Sequence, residues 1–269
     1  MSGPTTAWWG RVFADGPTGG NHTVVVTDPS GIRDRGALAA RLDVPDTAFV
    51  SSTEGEIVLR TFSPVEELAQ CLQTSLAVLT ALGVPLGEPR LVRHQHGEPL
   101  VVVREAEVTW AREAEPAPPD LEEVAQPSLA RVDLASGSAP VVVRQARSRL
   151  HLRCADVAQL EGLELEPDHV LELCSRLGIS GVVLSASGAE ERVRVFTTSL
   201  GGREDSATGG AVLGLGQLIA ATGVRGDLRV RQGPTERHRQ GALRLRVQDD
   251  GQVLLGGSVH SLMSGGLCS

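Results

Sequence analysis

A chain of 269 residues can form one large domain or two of about 130 residues each. Its hydrophobic content of 41% suffices for a sizeable core, and its net charge of −8 argues against unassisted binding to nucleic acid or an anionic membrane surface. The chain has no Lys, which excludes Schiff-base catalysis and a pyridoxal phosphate linkage through lysine.

In chain order, the N-terminal MSGPTTAWWG has neither the basic region nor the apolar core of a signal peptide. LDVPDTAFVSS (42–52) and GEIVLRTFSP (55–64) read as strands, the second with clear period-two alternation. ELAQCLQTSLAVLTALGV (67–84) reads as a helix, centred on about 67–83, that is apolar nearly all round and therefore buried. His94 and His96 form an H-x-H pair on an apparent strand. With no third ligand nearby in sequence, the pair reads as a surface feature of a hairpin rather than a metal site.

EAEPAPPDLEEVAQP (113–127) is rich in Pro and Glu and lacks periodicity, so it reads as the connection between two lobes. PVVVRQ (140–145) opens the second lobe as a strand, and PDHVLELCSRL (167–177) is an amphipathic helix with Pro167 suited to its first turn. LGISGVVLSAS (177–187) and EERVRVFTTS (190–199) repeat the earlier strand pair, and EDSATGGAVLGLGQLIAATGV (204–224) repeats the buried helix, at about 208–222. GALRLRVQDDGQVLLGGSVHSL (241–262) reads as a hairpin turning at Asp250-Gly251.

The repeated order, offset by about 135 to 140 residues, predicts an α/β (α+β) chain of two pseudo-symmetric lobes, each a curved sheet or barrel around a buried helix. The N-terminal lobe spans 1–115 and the C-terminal lobe 116–269, with residues from about 260 to 269 expected to return to the first lobe. Cys71, Cys154, Cys174 and Cys268 form no C-x-x-C pair, and no apolar run approaches the roughly 18 residues of a membrane span. The expectation is a cytoplasmic protein with reduced thiols.

Several blocks, in order, resemble the phenazine-biosynthesis (PhzF-like) isomerase family. VFADGPTGGNHTVVV (12–26) is similar to that family's V-F-x-x-x-P-x-G-G-N-P block, with His22 in place of Pro. DTAFV (46–50) is similar to E-T-A-F-V, ELAQCLQTS (67–75) in part to E-L-P-F-A-G-H-P-T, and EDSATGGA (204–211) to E-D-P-A-T-G-S-A. Gln232-Gly233 and VLLGGSV (253–259) complete the set. The resemblance implies a diaminopimelate-epimerase-like fold with a cleft between its lobes. It also implies proton transfer without cofactor or metal on a small unsaturated carboxylic acid, in a secondary-metabolite (antibiotic) pathway, with a homodimer common among similar proteins. The departures are that the family's catalytic Glu is Asp46 here, its active-site His is Gln73, and its Ser is Gly210.

On this reading Asp46 and Asp205 are the catalytic carboxylates, with a strand-entry turn and a helix cap as their structural alternatives. Asn21, Gln73, Thr208, Gly209 and Gly210 bind substrate, the last three offering backbone N–H groups to a carboxylate at a helix start. Cys71 has no cysteine counterpart near Thr208, which disfavours a two-thiol racemase. A binding protein for small acids on the same fold is the alternative to an isomerase. A metal-dependent hydrolase built on His94 and His96 ranks below both.

Overall fold

The structure is a computed structural model that describes residues 5–16, 18–53, 55–127, 132–233 and 240–267. Cys268 and the first four residues of the N-terminal segment lie outside the described residues. The first half runs β1 (Thr6–Val12), β2 (Asn21–Val26), α1 (Arg35–Leu42), β3 (Asp46–Thr53), β4 (Glu56–Phe62), β5 (Glu67–Leu68), α2 (Leu72–Ala81), β6 (Arg90–His94), β7 (Leu100–Glu105) and β8 (Val108–Glu113). After the edge strand β9 (Asp120–Glu123), the second half runs β10 (Val141–Arg144), β11 (Arg149–Arg153), α3 (Val157–Gly162), α4 (Pro167–Leu177), β12 (Gly181–Ala186), β13 (Glu191–Thr197), β14 (Glu204–Asp205), α5 (Gly209–Ala221), β15 (Gly226–Gln232), β16 (Gly241–Val247) and β17 (Val253–Gly257). The edge strand β18 (Val259–Gly266) ends the described chain.

The duplication is visible in the pairing. β2 runs parallel to β3 and β4 to β6; in the second half β11 runs parallel to β12 and β13 to β15. Antiparallel pairing of β8 with β17 joins the halves into one sheet. Each half also lends its last strand to the other: β9 pairs with β10, and β18 pairs along β1. A local motif is repeated as well. Arg60 on β4 bonds Glu67 at 2.6 Å and lies over the Phe62 ring, while Arg194 on β13 bonds Glu204 at 2.8 Å and lies over Phe196.

Alternation along the strands explains the layers. Val25, Ala48 and Val50 point inward to the core around α2, whereas Val24, Val26 and Phe49 point outward to α1. In β12, Val183 faces inward while Val182, Leu184 and Ala186 face α3 and α4. Strands covered on both faces lose the polar half of their pattern, which is why β12 is buried at every position. Residues of α2 from Leu72 to Leu79 are all buried, and Leu76 and Leu79 share one core with Val212 and Leu215 of α5.

Three expectations need correction. The helix expected from residue 67 begins at Leu72, because Glu67 and Leu68 pair with β4 as a short strand and the Cys71 carbonyl accepts the first helical bond, from Ser75 N. The aperiodic connection contains β9, whose four residues are all exposed and therefore carry no apolar alternation. The H-x-H pair is not a surface pair. His94 is 2% exposed beneath α2, with Nε2 at 2.9 Å from Ser75 Oγ, whereas His96 is exposed. Burial lowers the His94 pKa to about 4, so its imidazole is neutral.

Candidate active site

The N-termini of α2 and α5 meet between the halves, and the sequence permits that approach at Gly209. A Cβ there would lie 2.8 Å from both the Leu72 Cβ and a Leu255 methyl. The positive ends of two helix dipoles thus converge on one spot. A cavity of about 50 Å³, room for a few water molecules, lies there. Its walls include Asp46, Cys71, Gln73, Arg147, Arg149 and Asp205, together with the first turn of α5 at Thr208, Gly209 and Gly210.

The two carboxylates reach the cavity from non-equivalent places in the repeat. Asp46 is the first residue of β3, where the matching strand β12 starts with Gly181. Asp205 is the second residue of β14, where the matching strand β5 has Leu68. The helix N-caps, Cys71 and Thr208, are the true equivalents, and they present a thiol on one side and a hydroxyl on the other.

Asp205 is held by several donors. Asn21 Nδ2 donates to its Oδ1 at 2.7 Å, Thr208 Oγ1 donates to Oδ2 at 2.5 Å, and the Ala207 N–H adds a third. Gln232 Nε2 donates to Thr208 Oγ1 at 2.8 Å and to the Asp205 carbonyl at 3.0 Å, while its Oε1 accepts the Thr208 N–H. Burial raises the Asp205 pKa, and these hydrogen bonds with the Arg149 charge oppose the rise. Asp46 has fewer supports. Burial, and then the neighbouring Asp205 charge, push its pKa up to about 7, against the Cys71 thiol and the charges of Arg147 and Arg149. Burial, and then the Asp46 charge, push the Cys71 thiol well above its ordinary value, so it stays protonated. The result is two buried carboxyls side by side, Asp205 held by three donors and Asp46 poised near neutrality.

Of the seven residues expected at the site, six line this cavity and Asn21 stands behind it. Both Asn21 amide hydrogens are committed, one to Asp205 and one to the Ala207 carbonyl at 2.8 Å, so its amide reaches the cavity through Asp205. Gln73 Nε2 is likewise tied down, to Thr23 Oγ1 at 2.6 Å and the His22 carbonyl. Sequence reasoning missed Arg147 and Arg149. Their period-two spacing on RSRLHLR looks like a solvated strand face, and the burial comes from α5 crossing that face. Gln232 was legible only as part of a Q-G block.

The chain is thus a duplicated two-lobed α/β fold with a carboxylate pair where two helix N-termini meet. A predicted epimerase of Pseudomonas aeruginosa has the same fold over 98% of this chain and 99% of its own, with a TM-score of 0.79 at 23% identity. A hydroxyproline epimerase of Agrobacterium vitis covers 97% and 91% of the two chains, with a TM-score of 0.65 at 12% identity. In sequence, the trans-2,3-dihydro-3-hydroxyanthranilate isomerase of P. aeruginosa is 28% identical over 209 residues, 74% of each chain. The phenazine biosynthesis-like protein family matches residues 11–265, and the chain belongs to that family. Its enzyme class is isomerase.

Proposed function

We propose that the protein moves a proton, and with it a double bond, on a small unsaturated carboxylic acid, without a cofactor, in secondary-metabolite biosynthesis. A cyclic, amino-acid-derived acid is the preferred substrate, in keeping with the isomerase relative. The carrying observation is Asp46, a buried carboxyl raised to about 7 beside the pinned Asp205. A base with that pKa can take a carbon-bound proton and return it at the far end of the shifted double bond. The Asp205 charge raises the basicity of Asp46 and orients the acid. The free N–H groups at the start of α5 face the charge that develops during transfer. Admitting an organic acid to a cavity of about 50 Å³ requires the lobes to part. Three buried free cysteines support the expected reducing cytoplasm, and a homodimer belongs to the same reading.

The test is deuterium incorporation in heavy water from trans-2,3-dihydro-3-hydroxyanthranilate and related cyclic unsaturated acids. Incorporation that depends on the protein supports the isomerase. Acids that bind and exchange no carbon-bound hydrogen would instead identify a non-catalytic binding protein.

Cys71 enters through its hydrogen bond to Asp46, which favours the ionised carboxylate. Cys71→Ala should therefore shift the acid limb of the kcat/KM profile to higher pH and leave the high-pH plateau of the same order. A Cys71→Ala enzyme inactive at every pH would make the thiol itself a proton donor.

A further inference from the structure

Arg149 takes no part in the proton transfer proposed above. It opens β11, is 5% exposed, and places its guanidinium in the cavity wall beside the first turn of α5. A Cβ at position 210 would lie 3.0 Å from Arg149 Nη1 and 3.7 Å from both Cζ and Nη2, so the guanidinium fills the space a side chain there would need. Nη1 donates to the Arg147 carbonyl at 2.9 Å. Nε is shielded from solvent and meets no acceptor, and no ion pair among the described residues joins Arg149 to a carboxylate. Arg147, two residues earlier, is by contrast paired with Glu66 at 2.9 Å. Asp205 is near enough to be felt by Arg149, but its oxygens already serve Asn21 and Thr208.

A buried guanidinium without an ionic partner is costly, and this one also faces the positive end of a helix and a second arginine. Burial, then Arg147, lower its pKa to about 9, still high enough to keep the charge at neutral pH. The planar fork matches a carboxylate, and Gly209 and Gly210, whose N–H groups in the first turn of α5 have no intrahelical acceptor, line the same cavity. We propose that Arg149, seated in the space left by Gly210, is the specificity-determining residue of the cleft and holds the substrate's carboxylate against the start of α5. This rests on the reading that the substrate is an acid. It also orients the substrate, with the acid group at Arg149 and the reacting carbon toward Asp46.

The test compares 3-hydroxyanthranilate with its uncharged carboxamide, binding being followed by calorimetry without turnover. The wild-type protein should prefer the acid by about ten- to a hundred-fold, the range of a charge-assisted hydrogen bond. Arg149→Met should abolish that preference by weakening binding of the acid far more than that of the amide, while Arg149→Lys should keep part of it. Gly210→Ala is the safeguard against misfolding, because alanine favours a helix while its Cβ displaces the guanidinium. It too should shrink the preference. A wild-type protein that binds neither compound, or binds both equally, overturns the proposal, and so does a preference that is undiminished in Arg149→Met or Gly210→Ala. An Arg149-dependent acid preference without deuterium exchange would sink the isomerase reading and leave this one standing. Exchange with undiminished preference in the variants does the reverse.

Discussion

Replacing Asp46 with Asn should lower turnover by about 10²- to 10⁴-fold while the acid substrate still binds, because general base catalysis is worth that much. Asn keeps the shape and accepts a hydrogen bond but has no basicity. The measurement is kcat beside the dissociation constant of the same acid. Burial and Asp205 together raise Asp46 to about 7. Asp46→Glu is the sharper companion, since it restores the residue that the family resemblance expects. The extra methylene enters a cavity of about 50 Å³ already bounded by Cys71 and Leu68. If the shorter Asp serves a bulkier substrate, Glu crowds the cleft and turnover falls; if Asp merely replaced Glu by drift, turnover is kept. An Asp46→Asn enzyme with near wild-type turnover would move the proton-transfer role to Asp205.

The same substitution should stabilise the protein at alkaline pH. The Asp46 carboxyl rises from 3.8 in an unperturbed chain to about 7 when folded. Between those values the native state holds a proton that the unfolded chain releases. Proton binding therefore stabilises the fold fully below about pH 4, and that contribution is lost as pH rises through 7. About three pKa units correspond to an upper figure of about 4 kcal/mol. Asp46→Asn lacks the titration. Its stability relative to wild type should grow across pH 4 to 7 and then level off, as read from urea unfolding at a series of pH values. Parallel curves for the two proteins would show that the carboxyl is not strained by burial, and would remove the basis for its role as a poised base. A protein that gives up stability to hold a charged base in a closed cavity follows the familiar trade between function and fold.

Much of the architecture was legible because it rests on local pattern. The strands around 46–53, 56–62, 181–186 and 191–197 announce themselves through apolar runs or alternation, and Pro167 with Gly178 brackets α4. The buried helices followed from sequences that are apolar nearly all round. The duplication came from order alone, since strand, strand and helix recur with similar spacing. The carboxylates Asp46 and Asp205 were found through their motif blocks, each beside a recognisable element.

Tertiary structure decided the rest. The exposed strand β9 has no apolar face, so only its pairing with β10 makes it a strand. Glu67 and Leu68 look helical beside α2, yet β4 claims them through backbone pairing and the Arg60–Glu67 bridge. His94 looks like half of an exposed pair until α2 covers it and Ser75 bonds it. Arg149 was least legible of all. Its alternating neighbours suggest a wet strand face, and its burial exists only because α5, about sixty residues later in the chain, starts on top of it without a side chain at Gly210. Sequence determined which segments are strands, helices and candidate acids, because those depend on period and residue type. Which groups share the cavity, and which charge goes unpaired in it, depends on contacts between segments far apart in the chain, and only the folded chain supplies those.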